Sequence, residues 1–334
     1  MRQTNIELCR LVTIVLVMIV HTTFQAVGYP VEPKADSLMI LTLSAISIIG
    51  VNVFILISGY FSAKPKWTSL ANLTFICFFW WIVKMCCNLI FKQPMNKYSF
   101  FFVTQSNWFI PSYIGLLFFT PILNIFCISV NKKVLQRTIL ALLLFETWFD
   151  LLPPLPRIPI GTNHGYSVLS FIIIYILGRY INIHGLPSWI RKQGLLIYTS
   201  CSCLLIFTAF SLLYVKYPQI INILYAYNNP LIILSSICFF FIFEKLRLKE
   251  SKIIIHLSKS TLGILLGHTS IGFLYKKQFK YLFEHYSGVT RIAFWIMSIA
   301  IVFIASIAVD QLRIVLYKPI DKYLKNNIRQ NEIV

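Results

Sequence analysis

Ten apolar stretches of roughly bilayer length, separated by polar residues or by Pro and Gly, make up most of the sequence. They lie at approximately 8–28, 38–61, 69–91, 107–129, 136–152, 165–183, 194–215, 229–245, 260–279 and 290–316. A helix rises 1.5 Å per residue, so about 20 apolar residues cross a hydrocarbon core of about 30 Å. The pattern predicts an all-α, polytopic membrane protein with about ten transmembrane helices. Its least regular member is 136–152, where Glu146 and Asp150 interrupt the run and Pro153 and Pro154 close it. The segment LVTIVLVMIV at 11–20, behind Arg2 and Arg10, begins like a secretion signal. No small-residue cleavage site follows, and the run continues through His21 toward Val27, so the segment is expected to be retained as a helix. Apolar stretches this dense read as a single membrane-embedded domain over 1–334 with no separate soluble domain. The two halves show no internal repeat, which weighs against a transporter built from inverted repeats.

Composition narrows the class further. Hydrophobic residues make up 57% of the chain and charged residues 12%, against roughly 45–50% and 25% in soluble domains. Disorder, a disulfide-stapled secreted module and a cytosolic enzyme are thereby excluded. The eight cysteines sit in or beside apolar runs, with no C-x-x-C pair and no histidine at metal-ligand spacing, so they indicate neither a redox compartment nor a metal, and no residue is assigned as a metal ligand. A net charge of +19 would suggest nucleic acid in a soluble protein, but loops between spans offer a different account. Of the 30 basic residues, 20 fall on the N-terminal side of the expected spans and nine on the other, with Lys84 inside the third. The positive-inside rule then places both termini in the cytoplasm. A basic tail from Lys318 to Arg329 would lie against anionic headgroups. The partner implied is the lipid bilayer, and no nucleic acid is expected.

Ionisable side chains within spans cost roughly 2.5–3.5 kcal/mol each on insertion scales, so those present are candidates for function. Arg10 and His21 are eleven residues apart, which at 100° per residue leaves them roughly 20° apart on one helix face and roughly 16 Å apart along it. Glu7, one turn before Arg10, shares that face. One stripe thus joins a cationic entrance to a deep imidazole. The arginine's planar fork of donors suits phosphate, and a histidine near its ordinary pKa of about 6.5 suits general base work. The same residues also fit a plainer account, in which Arg10 pairs with Glu7 as an interfacial anchor and His21 is a hydrogen-bonded packing residue.

The second stretch ends in GVNVFILISGY at 50–60, where Asn52 and Gly59 share a face and Gly50 and Gly59 permit close helix approach. Lys64 and Lys66 follow at once. Beside Arg10 they would form a basic mouth for a polyphosphate group; otherwise they are topology anchors. Asn107, Trp108 and Tyr113 open the fourth stretch at the outer surface, as an interfacial aromatic belt or as the lining of a sugar groove. His268, in the LLGHTS of the ninth, is a candidate for the acceptor or acyl site or a helix-to-helix hydrogen bond. Asp310 and Arg313 read as an i,i+3 ion pair, whereas Glu146 and Asp150 place two acids together. His164, His184, His256 and His285 read as surface residues.

The Arg-x10-His spacing of Arg10 and His21, with the Phe-x-x-x-Ser-Gly core of 50–60, resembles the acyltransferase 3 family of integral membrane acyltransferases. NWFIPSYIGLLFFTPILN (107–124), GYSVLSFIIIYILGRYI (165–181), YNNP (227–230) and SKSTLGILLGH (258–268) are similar to its polysaccharide-modifying members. The resemblance implies a ten-helix O-acyltransferase of the bacterial cytoplasmic membrane. It would move an acyl group, usually acetyl from acetyl-CoA, to a hydroxyl of a surface-glycan sugar or its lipid-linked precursor. It gives His21 the essential histidine role and Arg10 the role of its arginine partner. Lys64 and Lys66 stand where many members carry an arginine-rich segment. Glu7, Asn52, Ser58, Tyr60, Asn107, Trp108, Tyr113 and His268 are the further candidates for the acceptor or acyl site. Acyl-CoA is expected as donor substrate, with no tightly bound cofactor. The alternative is a transporter of a glycan or small molecule, with Arg10 and His21 as substrate anchor and proton relay.

Overall fold

A computed structural model describes residues 3–95, 97–102, 107–151 and 161–327. Arg2, Pro153, Pro154, Arg157 and Arg329 lie outside the described residues. Within them the chain is helical: α1 (Thr4–Thr22), α2 (Ala35–Ser47), α3 (Gly50–Tyr60), α4 (Trp67–Ile90), α5 (Phe109–Ser129), α6 (Lys132–Glu146) and α7 (Val168–His184) form the first half. The second half has α8 (Ser188–Lys192), α9 (Gly194–Tyr214), α10 (Ile221–Leu224), α11 (Pro230–Glu244), α12 (Lys252–Ser258), α13 (Thr261–Ser270), α14 (Gly272–His285) and α15 (Gly288–Asn327). Starts follow local chemistry: the Asn131 side chain accepts from the Val134 N–H at 2.9 Å, and Asn229, followed by Pro230, accepts from the Leu231 N–H at 2.9 Å.

Among the described residues, six segments are long and apolar enough to cross a membrane: α1, α2 with α3, α4, α5, α9 and α15. Helices α7 and α11 are apolar but shorter, at 17 and 15 residues. The stretch at 136–152 forms most of α6 and, as far as Leu151, a π turn over Thr147–Leu151. The stretch at 260–279 is not one helix: it breaks between Ser270 and Gly272 into α13 and α14. Thr269 and Ser270 turn their hydroxyls back onto the Leu265 and Leu266 carbonyls at 2.9 and 2.6 Å, a bond that bends helices, and Gly272 follows. A similar break divides 38–61 at Ile48–Ile49, after the Ser47 hydroxyl bonds back to Leu43. The final helix instead outruns its apolar stretch, passing Pro319 to reach Asn327, with Lys325 paired to Asp321 at 2.6 Å on the extension.

Small residues set the closest crossing, between α3 and α7. A Cβ at Gly59 would overlap the Tyr175 carbonyl oxygen, and one at Gly178 would meet the Leu56 carbonyl oxygen at 2.5 Å. Both obstacles are backbone, which cannot swing aside. Gly59→Ala is therefore expected to lower stability by about 1–3 kcal/mol through forced separation of the pair, read as a lower unfolding midpoint in detergent. An unchanged midpoint would show that the crossing can spread freely.

A second junction is charged. Asp310 and Arg313 on α15 pair at 2.7 Å, and Asp310 also accepts from the Trp80 indole of α4 at 3.1 Å. Arg313 reaches Asn72 on α4 at 3.3 Å. Gly263 on α13 leaves the room that the Asp310 carboxylate occupies. The expected ion pair is thus also the tie between α4, α13 and α15.

Candidate active site

Between α1, α3, α4, α5 and α13 lies a cavity of about 410 Å³. Its wall carries Glu7, Arg10 and His21 from α1, Ser58 from α3, and Lys64 and Lys66 from the loop that follows. At the end nearer the N-terminus of α1, Lys259 joins Arg10, Lys64 and Lys66. At the other end stand Asn107, Trp108 and Tyr227. Four cations therefore face one end of a largely apolar chamber and aromatic rings close the other. Like charges gathered without an equal number of acids attract a polyanion.

Neighbouring helices anchor the backbone at the basic end. Arg10 Nε lies 4.0 Å from Glu7 Oε2, one helical turn away, with the carboxylate almost fully buried and the guanidinium side chain 34% exposed. The loop bearing Lys64 turns through Ser62 at φ 53°. Its Ala63 carbonyl accepts from Asn124 Nδ2 at 3.2 Å and from the Tyr175 hydroxyl at 3.1 Å. Helices α5 and α7 thus fix the backbone beside the two lysines.

Near the other end of α1, His21 meets a second histidine. Its Nδ1 is 2.7 Å from His268 Nε2, with ring centroids 4.8 Å apart. The remaining nitrogen of His268, Nδ1, is 2.7 Å from the Ile264 carbonyl oxygen one turn back on α13. His268 is buried at 1% exposure and lies behind the cavity wall, whereas His21 forms part of it.

The aromatic end is built from several loops. Trp108 packs on Tyr166 with centroids 4.4 Å apart and on Tyr227 at 5.8 Å, and Tyr166 lies 4.9 Å from Tyr227. The Tyr227 backbone is pinned from both sides: its N–H donates to the His164 carbonyl at 3.1 Å, and its carbonyl accepts from Asn52 Nδ2 at 2.7 Å. Asp150 anchors the adjoining loop, accepting from the Thr162 hydroxyl, the His164 N–H and Asn228 Nδ2 at 2.8, 2.7 and 2.6 Å. Asn163 and His164 take positive φ values of 47° and 55° there. The Asp150 bonds hold a turn that these residues otherwise disfavour.

The family comparison covers the whole of this arrangement. A sequence model described as an acyltransferase domain, that of acyltransferase 3, matches residues 3–310, from the start of α1 to Asp310. The chain belongs to the acyltransferase 3 family. No curated protein and no solved structure matches it significantly. The family and the apolar helices together make the protein a membrane acyltransferase.

In this acyltransferase the cavity gathers Glu7, Arg10, His21, Ser58, Lys64, Lys66, Asn107, Trp108 and Tyr113 in one place. Three other candidates stand elsewhere. Asn52 is 4% exposed and its amide serves the Tyr227 carbonyl. Tyr60 packs on Phe61 and Phe240, with centroids at 5.2 and 4.9 Å, because the α3 face it occupies turns toward α11. His268 supports His21 from behind. Asn107 caps α5, accepting from the Phe109 N–H at 2.9 Å, and Tyr113 lies 3.3 Å from the Ser58 hydroxyl. His164 departs from the surface role expected of it: it is half-buried, with Nδ1 3.2 Å from Asp150 Oδ1. Lys259, Asn72 and Tyr227 join the acyltransferase cavity unannounced by any spacing. Only the packing of α13, α4 and the turn before α11 brings them there. Among the described residues, no three His, Cys, Asp or Glu side chains converge as a metal site.

Proposed function

We propose that this acyltransferase transfers an acetyl group from acetyl-CoA to a hydroxyl of a surface-glycan sugar or its lipid-linked precursor. The observation that carries the reading is the single cavity joining Arg10, Lys64, Lys66 and Lys259 to His21. Coenzyme A presents phosphates at one end and a thioester at the other, so a chamber cationic at its mouth and basic in its interior matches both. Ten spans, as the apolar stretches suggest, with both termini and the cationic mouth facing the cytoplasm on the strength of the positive-inside bias, complete the proposal, and the family resemblance supports a bacterial cytoplasmic membrane.

In the transfer, His21 takes the acceptor hydroxyl proton as the oxygen attacks the thioester carbonyl. The new C–O bond forms, the C–S bond breaks, and the proton passes from the imidazole to the departing thiolate. A two-step version places the acetyl group on the imidazole first and then on the sugar. Withholding the acceptor separates them, since only the second accumulates acetylated His21.

The direct test is purified protein in liposomes, supplied with isotopically labelled acetyl-CoA and candidate lipid-linked sugars, with products read by mass spectrometry. A labelled acetyl increment on the sugar supports the reading. Gradient-driven uptake of the sugar without chemical change, and no increment for any acceptor or acyl donor, would replace it with transport. The mouth makes its own prediction. Lys64→Ala with Lys66→Ala is expected to raise the KM for acetyl-CoA about tenfold with little change in kcat, because phosphate contacts bind ground and transition states alike. The defect should shrink as salt screens the remaining attraction. Equal KM values at low salt would remove the lysines from the donor site.

A further inference from the structure

We propose that His268 is a positioning residue that holds His21 in one tautomer, with the proton on Nδ1 and the lone pair on Nε2. The Ile264 carbonyl can only accept, so the His268 nitrogen 2.7 Å away, Nδ1, carries a hydrogen and donates it. In a neutral imidazole the other nitrogen then has none, and His268 Nε2 is an acceptor. His21 Nδ1, 2.7 Å from that lone pair, must be the donor. The base of the neutral His21 ring is therefore Nε2, the nitrogen that makes no hydrogen bond among the described residues.

A main-chain carbonyl on α13 thus sets, through two rings, which atom of α1 is basic. The reversed arrangement would require a hydrogen on both nitrogens of His268, hence a charged ring at 1% exposure with no carboxylate bonded to it. When His21 Nε2 takes the acceptor proton, the imidazolium keeps its Nδ1–H and donates it to His268 Nε2, in a hydrogen bond that the new charge strengthens. The catalytic consequence rests on the proposed base role of His21; the tautomer itself does not.

The test uses the full chain in detergent or liposomes and reads both. The six histidines are labelled with 15N, and the His21 signals are assigned by their loss in His21→Ala. In the wild type, His21 Nδ1 is expected to be protonated and Nε2 bare. His268→Phe, which keeps a ring but offers no acceptor, should shift His21 toward the other tautomer and lower kcat about 100-fold, leaving KM for acetyl-CoA within about twofold. His268→Gln, whose side-chain oxygen can accept from Nδ1–H, should restore the tautomer and at least about tenfold of that loss. Unfolding midpoints are recorded alongside, so that only folded variants are compared. A bare Nδ1 in the wild type overturns the inference. So do equal kcat values for wild type and His268→Phe, or folded Gln and Phe variants that are equally impaired. If no protein, wild type included, transfers acetyl to any acceptor, the proposed function fails. The nitrogen spectra alone then decide the tautomer.

Discussion

Membranes carrying His21→Ala at wild-type levels are expected to add no detectable labelled acetyl to surface or lipid-linked glycan, a loss of about 10³-fold or more in transfer rate. General base catalysis contributes about 10²–10⁴-fold, and a carrier role would make the loss complete. His21 is the imidazole in the cavity wall, with His268 behind it. The substitution also leaves His268 Nε2 unpaired, so the companion variant is His21→Gln, whose side-chain amide can donate to that nitrogen without offering a basic one. Inactivity of a stably folded His21→Gln would tie the defect to basicity. Acetyl transfer at half the wild-type rate in either variant would remove His21 from the chemistry.

The largest effect on stability is expected from Asp310→Ala, at about 3–5 kcal/mol, because it strands a buried guanidinium. Arg313 is 3% exposed and would retain only its Asn72 contact, while the Trp80 indole would lose its acceptor. A further change, Asp310→Ala with Arg313→Leu, removes both charges and should recover most of the loss, since an apolar replacement of a buried pair is often neutral. Unfolding midpoints of the two variants decide this. If the single variant matches the wild type, the ion pair contributes nothing to holding α4, α13 and α15 together.

Much of the mouth and the interior was legible in advance because it lies within short spans of chain. Glu7, Arg10 and His21 share one helical stripe, and Lys64 and Lys66 directly follow a helix expected beside it, so helical geometry alone could group them. The helix breaks were less legible. Apolar residues resume at once after Ser270, as Ile271, Phe273 and Leu274, and after Ser47, as Ile48, Ile49 and Val51, and hydroxyls that bond backward interrupt a helix without leaving a gap in hydropathy. The extension of α15 was missed for the opposite reason: polarity ends the apolar stretch near residue 316 but does not end a helix, and the Asp321–Lys325 pair supports it onward. Lys259, Tyr227 and the role of His268 depend on packing between distant segments. His268 could be noticed as a polar group in an apolar run, but nothing local indicates which side chain it meets.

The two histidines are 247 residues apart in the chain. At about 5–20 residues per second, a ribosome needs roughly 12–50 s to reach the second after making the first. For much of that interval α1 can already be inserted, with its imidazole present and its partner not yet synthesised. Oriented basicity is thus a late event in biogenesis, arriving with α13. A nascent chain occupies the membrane with the first imidazole unoriented, and the tautomer is set only once the chain has been made as far as α13 and has closed upon its own beginning.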